Sequence, residues 1–211
     1  MLKCNQNKEI LKMNLIEAYQ EVVSKYWDYD KNLGIKPEDF SHASSKKVWW
    51  RCPVCNGSWE TTIATKTRGR GCPYCSGNKV LPGYNDLLTK RPDIAKLWDY
   101  EKNGDLKPTD VTQYASNNVW WKCDKGHSYL QKIASKTSQN QRCPYCTGRR
   151  VLKGFNDFAS QHPDLLKEWD YELNNLQPDE VTKGSSKKVH WICKTCGRKW
   201  IEYFSQLVTP C

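Results

Sequence analysis

Eleven cysteines stand in this 211-residue chain, and ten of them fall at spacings that suit a metal ion. Cys52-Pro-Val-Cys55 is followed, after about 16 residues, by Cys72-Pro-Tyr-Cys75. A C-x2-C turn points both sulfurs to one side, and two such hooks complete the tetrahedral thiolate set of a structural zinc site. A thioredoxin-like redox pair is the competing reading of a single hook, but it does not explain a second hook at a fixed distance. The next set begins at Cys123, runs through Asp124-Lys125-Gly126-His127 and closes with Cys143-Pro-Tyr-Cys146. His127 stands one position late where a thiolate is missing, and an imidazole reaches farther than a thiol. A third set offers Cys193, Cys196 and Cys211. Its fourth ligand is absent, as expected if the natural chain continues with the rest of a hook or if the site has degenerated. An open catalytic zinc site is a further reading, but the sequence places no general base nearby. His190 is not expected to ligate, because its equivalents are tryptophans. Two Zn2+ ions are expected, and a third only if Cys193, Cys196 and Cys211 recruit another ligand or a water. Cys4 falls outside every set and is read as a bystander thiol.

These ligands belong to a module repeated three times. Trp27, Trp98 and Trp169 stand 71 residues apart and open WDYDKN, WDYEKN and WDYELN. Pro37, Pro108 and Pro178 follow, and VWWRC, VWWKC and VHWIC lead into Cys52, Cys123 and Cys193. The register divides the chain into an N-terminal extension 1–13, modules 14–84 and 85–155, and an incomplete module 156–211. Asn14, Asn85 and Asn156 precede helix-like runs. Asn85-Asp86 is an N-cap signal, and Pro92-Asp93 starts a short amphipathic run that puts Ile94, Leu97 and Trp98 on one face. Val119–Lys122 is β-prone, and SWETTIATK and SYLQKIASK read as the following strand. The predicted fold class is α+β: tandem zinc-stabilised modules of a β-hairpin and a short helix, too small to fold on apolar burial alone. Zinc ribbon and treble clef differ in whether Cys72 and Cys75 sit on a second knuckle or at a helix N-terminus.

Charge points to the partner. The net charge is +10, and it concentrates in the cysteine-bearing halves, which suits a polyanion such as DNA or RNA. Candidate nucleic-acid contacts are Lys46, Lys47, Lys66, Arg68, Arg70, Lys136, Arg142, Arg149, Arg150, Lys187 and Lys188. Trp49 and Trp120, on the outer face of the hairpin with His190, are candidates for stacking on bases. Trp27, Trp98, Trp169, Trp50, Trp121 and Trp191 are expected to pack. No restriction-like set of paired acids and a lysine is evident, so no catalytic residue is assigned and the chain is not expected to be an enzyme. The chain shows no apolar leader and no membrane-spanning stretch, which with unpaired cysteine chemistry implies a cytoplasmic protein without a membrane partner.

The run WDY-x-x-N, P-x-D-V-T, S-x-K-x-V-W-W-x-C, then C or GH, and CPYC-x-G resembles the probable zinc-ribbon, treble-clef-like repeat family of bacteria, phages and large DNA viruses. It covers nearly the whole chain from about Asn14. The resemblance implies a nucleic-acid-binding module, strung in tandem and sometimes joined to a restriction-like or repair-like endonuclease domain, in a bacterial or virus-infected cell. DNA is favoured over RNA, with a nuclease partner or fused domain as a possibility. RNA binding, a protein–protein adaptor and a metal-dependent endonuclease are the alternatives.

Overall fold

The computed structural model describes residues 13–203, so Cys4 and Cys211 lie outside the described residues. The chain divides between Asn117 and Asn118 into two compact units. The first holds the first repeat and the helical half of the second. The other holds the hairpin of the second repeat and the third repeat.

Each repeat opens with a short helix broken once. In the first, Asn14 caps Leu15–Tyr26 by accepting from the Glu17 amide while the Glu17 side chain answers the Asn14 amide, a reciprocal cap that satisfies two otherwise orphaned donors. The helix breaks at Tyr19, with φ −141°. Arg91 takes φ −140° between Leu87–Lys90 and Pro92–Ala95, and His162 takes φ −137° between Phe158–Gln161 and the 3-10 turn Pro163–Glu168. Pro92 and Pro163 account for two of the breaks, because the residue before a proline is driven out of the helical region. Gln20 follows Tyr19, so no proline accounts for the first break, where Tyr19 packs against the first core with its ring 5.5 Å from that of His42.

The cap positions correct the sequence register by one residue. Asn14, Asp86 and Asp157 each form an isolated bridge, to Ser41, Thr112 and Thr182 respectively, so Asn14 is the counterpart of Asp86 and not of Asn85. The extra residue of the first copy lies after the break: Tyr19 to Trp27 spans eight positions and Arg91 to Trp98 spans seven.

In the first and third repeats the WDY-x-x-N motif ties this helix to the hairpin. Trp27 meets Trp50 edge-on at 5.4 Å, and Trp169 meets Trp191 at 5.5 Å, both at 82°. Such T-shaped pairs add about 0.5–1.5 kcal/mol beyond area burial. The buried Asp28 accepts from the Lys31 amide, Arg51 and Ser58. Burial would raise its carboxyl pKa, but these donors hold it below the usual range. The Asn32 amide accepts from Trp49 N and donates to Trp49 O, and Asn174 does the same with His190. A side-chain amide therefore pairs backbone groups that the edge of a two-stranded sheet would leave open.

Three antiparallel hairpins follow: β1 (Lys47–Arg51) with β2 (Ser58–Thr62), β3 (Asn118–Lys122) with β4 (Ser128–Lys132), and β5 (Lys188–Ile192) with β6 (Lys199–Tyr203). Trp50 faces Trp59, Trp121 faces Tyr129 and Trp191 faces Trp200. Trp50, Trp121 and Trp191 are fully buried. The stretches read from sequence as one long strand do not stay extended. Each turns into a helix, Ile63–Thr67 after β2 and Ile133–Gln139 after β4. The helical turn puts Ile63, Lys66 and Thr67 on one face, and the first core joins Ile63 to Leu15, Val23, Trp27, Val48, Trp50 and Trp59 around Cys52 and Cys72.

Candidate metal centres

Each hairpin loop is a knuckle that aims sulfur inward. In the first, Cys52 N donates to Gly57 O and Asn56 N to Cys52 O, with Asn56 at φ 54°. The third repeats this through Cys193, Arg198 and Gly197, the last at φ 70°. The second closes one residue sooner, from Cys123 N to His127 O, with Gly126 at φ 81°. Asparagine and glycine are the residues that tolerate this left-handed position. The closing hook is a single turn: Ser76 N donates to Cys72 O and Thr147 N to Cys143 O.

The four sulfurs of Cys52, Cys55, Cys72 and Cys75 lie within 4.8 Å of one another, and so do the ligand atoms of Cys123, His127, Cys143 and Cys146. Four sulfurs held about 2.3 Å from a zinc ion would stand about 3.8 Å apart. Cys52 to Cys75 and Cys55 to Cys72 are each 3.6 Å. At the second centre the donor is His127 Nδ1, 3.5 Å from Cys123 Sγ, 3.3 Å from Cys146 Sγ and 3.9 Å from Cys143 Sγ. A nitrogen at about 2.0 Å and a sulfur at about 2.3 Å give a spacing close to 3.6 Å. Both sets fit a tetrahedral ion with soft ligands. Burial pushes the Cys52 thiol up, but donation from the Cys55 and Val54 amides and the neighbouring thiols brings it down to about 7, while Cys55 is pushed up to about 12 by burial. A cluster of this kind holds protons that a metal ion displaces. In the third repeat Cys193 is buried and Cys196 exposed, and the expected partner Cys211 lies outside the described residues.

Two predicted phosphate contacts are corrected. Lys66 and Lys136 are 6% and 3% exposed. Lys66 Nζ donates to Arg70 O and sits 3.5 Å from the centroid of the Tyr26 ring; Lys136 Nζ donates to Gln141 O and to the Tyr129 hydroxyl. Burial pulls both ammonium pKa values down. These lysines pin the backbone just before Cys72 and Cys143, so they position the closing hook and do not reach a polyanion. Lys46, Lys47, Arg68, Arg70, Arg142, Arg149, Arg150, Lys187 and Lys188 are exposed. Trp49, Trp120 and His190 are half-buried, and Lys31 Nζ lies 4.2 Å from the centroid of the Trp49 ring.

Sequence reasoning missed the connector that covers each centre. Asn85 donates to Tyr74 O and Lys79 O and accepts from Leu81 N, and Asn156 clasps Tyr145, Arg150 and Leu152 identically. The Tyr84 hydroxyl reaches Cys75 Sγ at 3.5 Å, and the Phe155 ring centroid lies 4.1 Å from that of His127. Repetition of L-x-G-[YF]-N-D after each CPYC was the available signal. It also missed Tyr29, Tyr100 and Tyr171, which are 61%, 57% and 54% exposed. The signal in the sequence was their identity in all three copies.

No helix among the described residues is long and apolar enough to cross a membrane. Among curated proteins, none matches the chain. The family model described as a probable treble clef zinc finger domain matches residues 23–78, 94–149 and 165–206, the third span being the shortest. With well over half of its length matched, the chain belongs to the family of probable treble clef zinc finger domains, in three tandem copies.

Proposed function

We propose that this chain is a zinc-stabilised, non-catalytic nucleic-acid-binding array, with DNA as the favoured polyanion, serving as the targeting part of a nuclease, defence or mobile-element system. The observation that carries the reading is that exposed cations flank the metal clusters. Lys46 and Lys47 enter the first hairpin, Arg68 and Arg70 precede its closing hook, and Arg142, Arg149 and Arg150 bracket the hook of the second. Fixed metal clusters give these flexible charges a rigid frame, which lowers the entropy lost on binding. The choice of DNA over RNA rests on the resemblance to modules joined to endonuclease domains. The non-catalytic part is supported by the buried acids: Asp86 and Asp157 cap helices, and Asp28 and Asp170 hold Arg51 and Lys199.

The test is titration of the zinc-loaded chain against labelled single- and double-stranded DNA and RNA, with and without Mg2+. Binding that weakens steeply with salt is expected, without cleavage. Cleavage in Mg2+ replaces the reading with a nuclease. Failure to bind all four probes replaces it with a protein adaptor, which the exposed Tyr29, Tyr100 and Tyr171 favour.

A further inference from the structure

The hook, the connector and the next repeat enclose a groove in each compact unit, built from equivalent residues. In the second unit it is lined by Tyr145, Cys146, Gly148, Phe155 and Asn156 on one side and by the 181–187 turn on the other, with a volume of about 1020 Å³. In the first unit the corresponding Tyr74, Cys75, Gly77, Tyr84 and Asn85 face Thr112, Gln113 and Tyr114 across about 230 Å³. Thr112 and Thr182 are equivalent through their bridges to the helix caps. Gln113 therefore matches Lys183, Tyr114 matches Gly184 and Asn117 matches Lys187. One scaffold has become two different grooves.

The difference is chemical as well as steric. Lys125, Arg149, Lys183 and Lys187 line the larger groove, and among the described residues none of the four is ion-paired. Its one acid, Glu180, is engaged by the Gln177 amide. The smaller groove has Lys90 as its cation. Cations along a recess that also carries aromatic rings are what a single strand requires, with phosphates on the charges and unstacked bases against the rings. A duplex keeps its bases stacked inside and cannot offer them to Tyr145 or Phe155.

We propose that the groove between the closing hook of the second metal centre and the 181–187 turn binds a segment of single-stranded nucleic acid, with phosphates on Arg149, Lys183 and Lys187 and base stacking on Tyr145 and Phe155. The proposal rests on the nucleic-acid reading above and adds the strand state and the place. Its counterpart in the first unit, with Lys90 as its one lining cation and Tyr114 in place of Gly184, is not a binding site.

Gly184 supplies the test, because a Cβ there meets nothing within 4 Å and its φ is not positive. Gly184→Tyr copies the first groove into the second while keeping every charge. Fluorescence anisotropy of the zinc-loaded full chain would use a labelled single-stranded DNA, its RNA equivalent and the DNA duplex. Wild type should bind a single strand at least tenfold more tightly than the duplex, and Gly184→Tyr should lose at least tenfold of that affinity with an unchanged melting temperature. Combined Arg149→Ala, Lys183→Ala and Lys187→Ala should lower the slope of log affinity against log salt by about 2, near 0.7 per lost phosphate contact on a single strand. Lys90→Ala, which removes the cation of the smaller groove, should change affinity less than threefold. A wild type that prefers the duplex, or Gly184→Tyr and triple variants that bind like wild type with zinc intact, overturns the groove and leaves the nucleic-acid reading standing. A wild type that binds no probe overturns both.

Discussion

The two metal centres reach one geometry by different loops. The first uses four thiolates and closes its knuckle at Gly57; the second replaces a thiolate by His127 and closes one residue sooner, with the ligand itself at the closing position. Gly57 has no room for a side chain: a Cβ would lie 2.6 Å from the Tyr74 ring and 2.9 Å from Leu81. At the second centre the imidazole occupies the closing position, and Phe155 packs on it where Tyr84 touches Cys75. A ligand can thus be exchanged in such a module when loop length and the covering ring change with it.

The largest effect should come from removing a ligand at either centre. Structural zinc contributes on the order of 10 kcal/mol to folding in small modules, as much as the whole stability of a typical domain. Cys72→Ser should unfold the first unit and leave the second folded; Cys143→Ser should do the reverse. Elemental analysis should find two zinc ions in wild type and one in each variant, and a chelator should unfold both units. Two ions retained in either variant would break the equivalence of the centres.

Next in size is Gly57→Ala. The Tyr74 ring cannot simply swing away, because its hydroxyl donates to Ser58 O at 2.9 Å. Overpacking of this kind costs about 1–3 kcal/mol, which should lower the melting temperature of the first unit by several degrees and leave the second untouched. An unchanged melting temperature would show that the connector yields.

The centres should also differ in their response to pH. Metal binding releases the protons of the free ligands, and between pH 7 and 8 the Cys55 thiol, pushed up to about 12 by burial, must give up a proton, whereas the second centre has one thiol fewer to deprotonate. Affinity at the first centre should rise with pH more steeply by about one proton, or nearly tenfold more per pH unit. Chelator competition at several pH values, on Cys72→Ser and Cys143→Ser separately, measures each remaining centre. Equal slopes would mean that His127 is not a ligand.

Much of this was legible from the chain compared with itself: the repeat, the hooks, His127 as the substitute ligand and the packing tryptophans. What stayed hidden depended on direction. Lys66 and Lys136 read as phosphate contacts because composition counts charges without showing which way they face. The helix that turns Lys66 onto the side of Ile63 was masked by a β-prone sequence. The connector was hidden for a different reason. Tyr84 ends the first module in sequence and Asn85 opens the second, yet both touch the metal hook of the first. A 71-residue period fixes the repeat length but not where one folded unit ends.

The smallest difference tests whether the covering ring matters. Tyr84→Phe copies Phe155 and removes one hydroxyl from an exposed sulfur. A hydrogen bond of this kind nets about 0.5–1.5 kcal/mol, and less where water can replace it. Metal affinity at the first centre should fall by at most a few fold, with folding unchanged. The reciprocal Phe155→Tyr adds a hydroxyl where the neighbouring ligand is an imidazole and should leave affinity at the second centre nearly as it was. If Tyr84→Phe instead lost the metal, the hydroxyl would be part of the ligand set's support, and the two centres would differ in more than the exchanged ligand. Chelator competition on the two single variants distinguishes these outcomes.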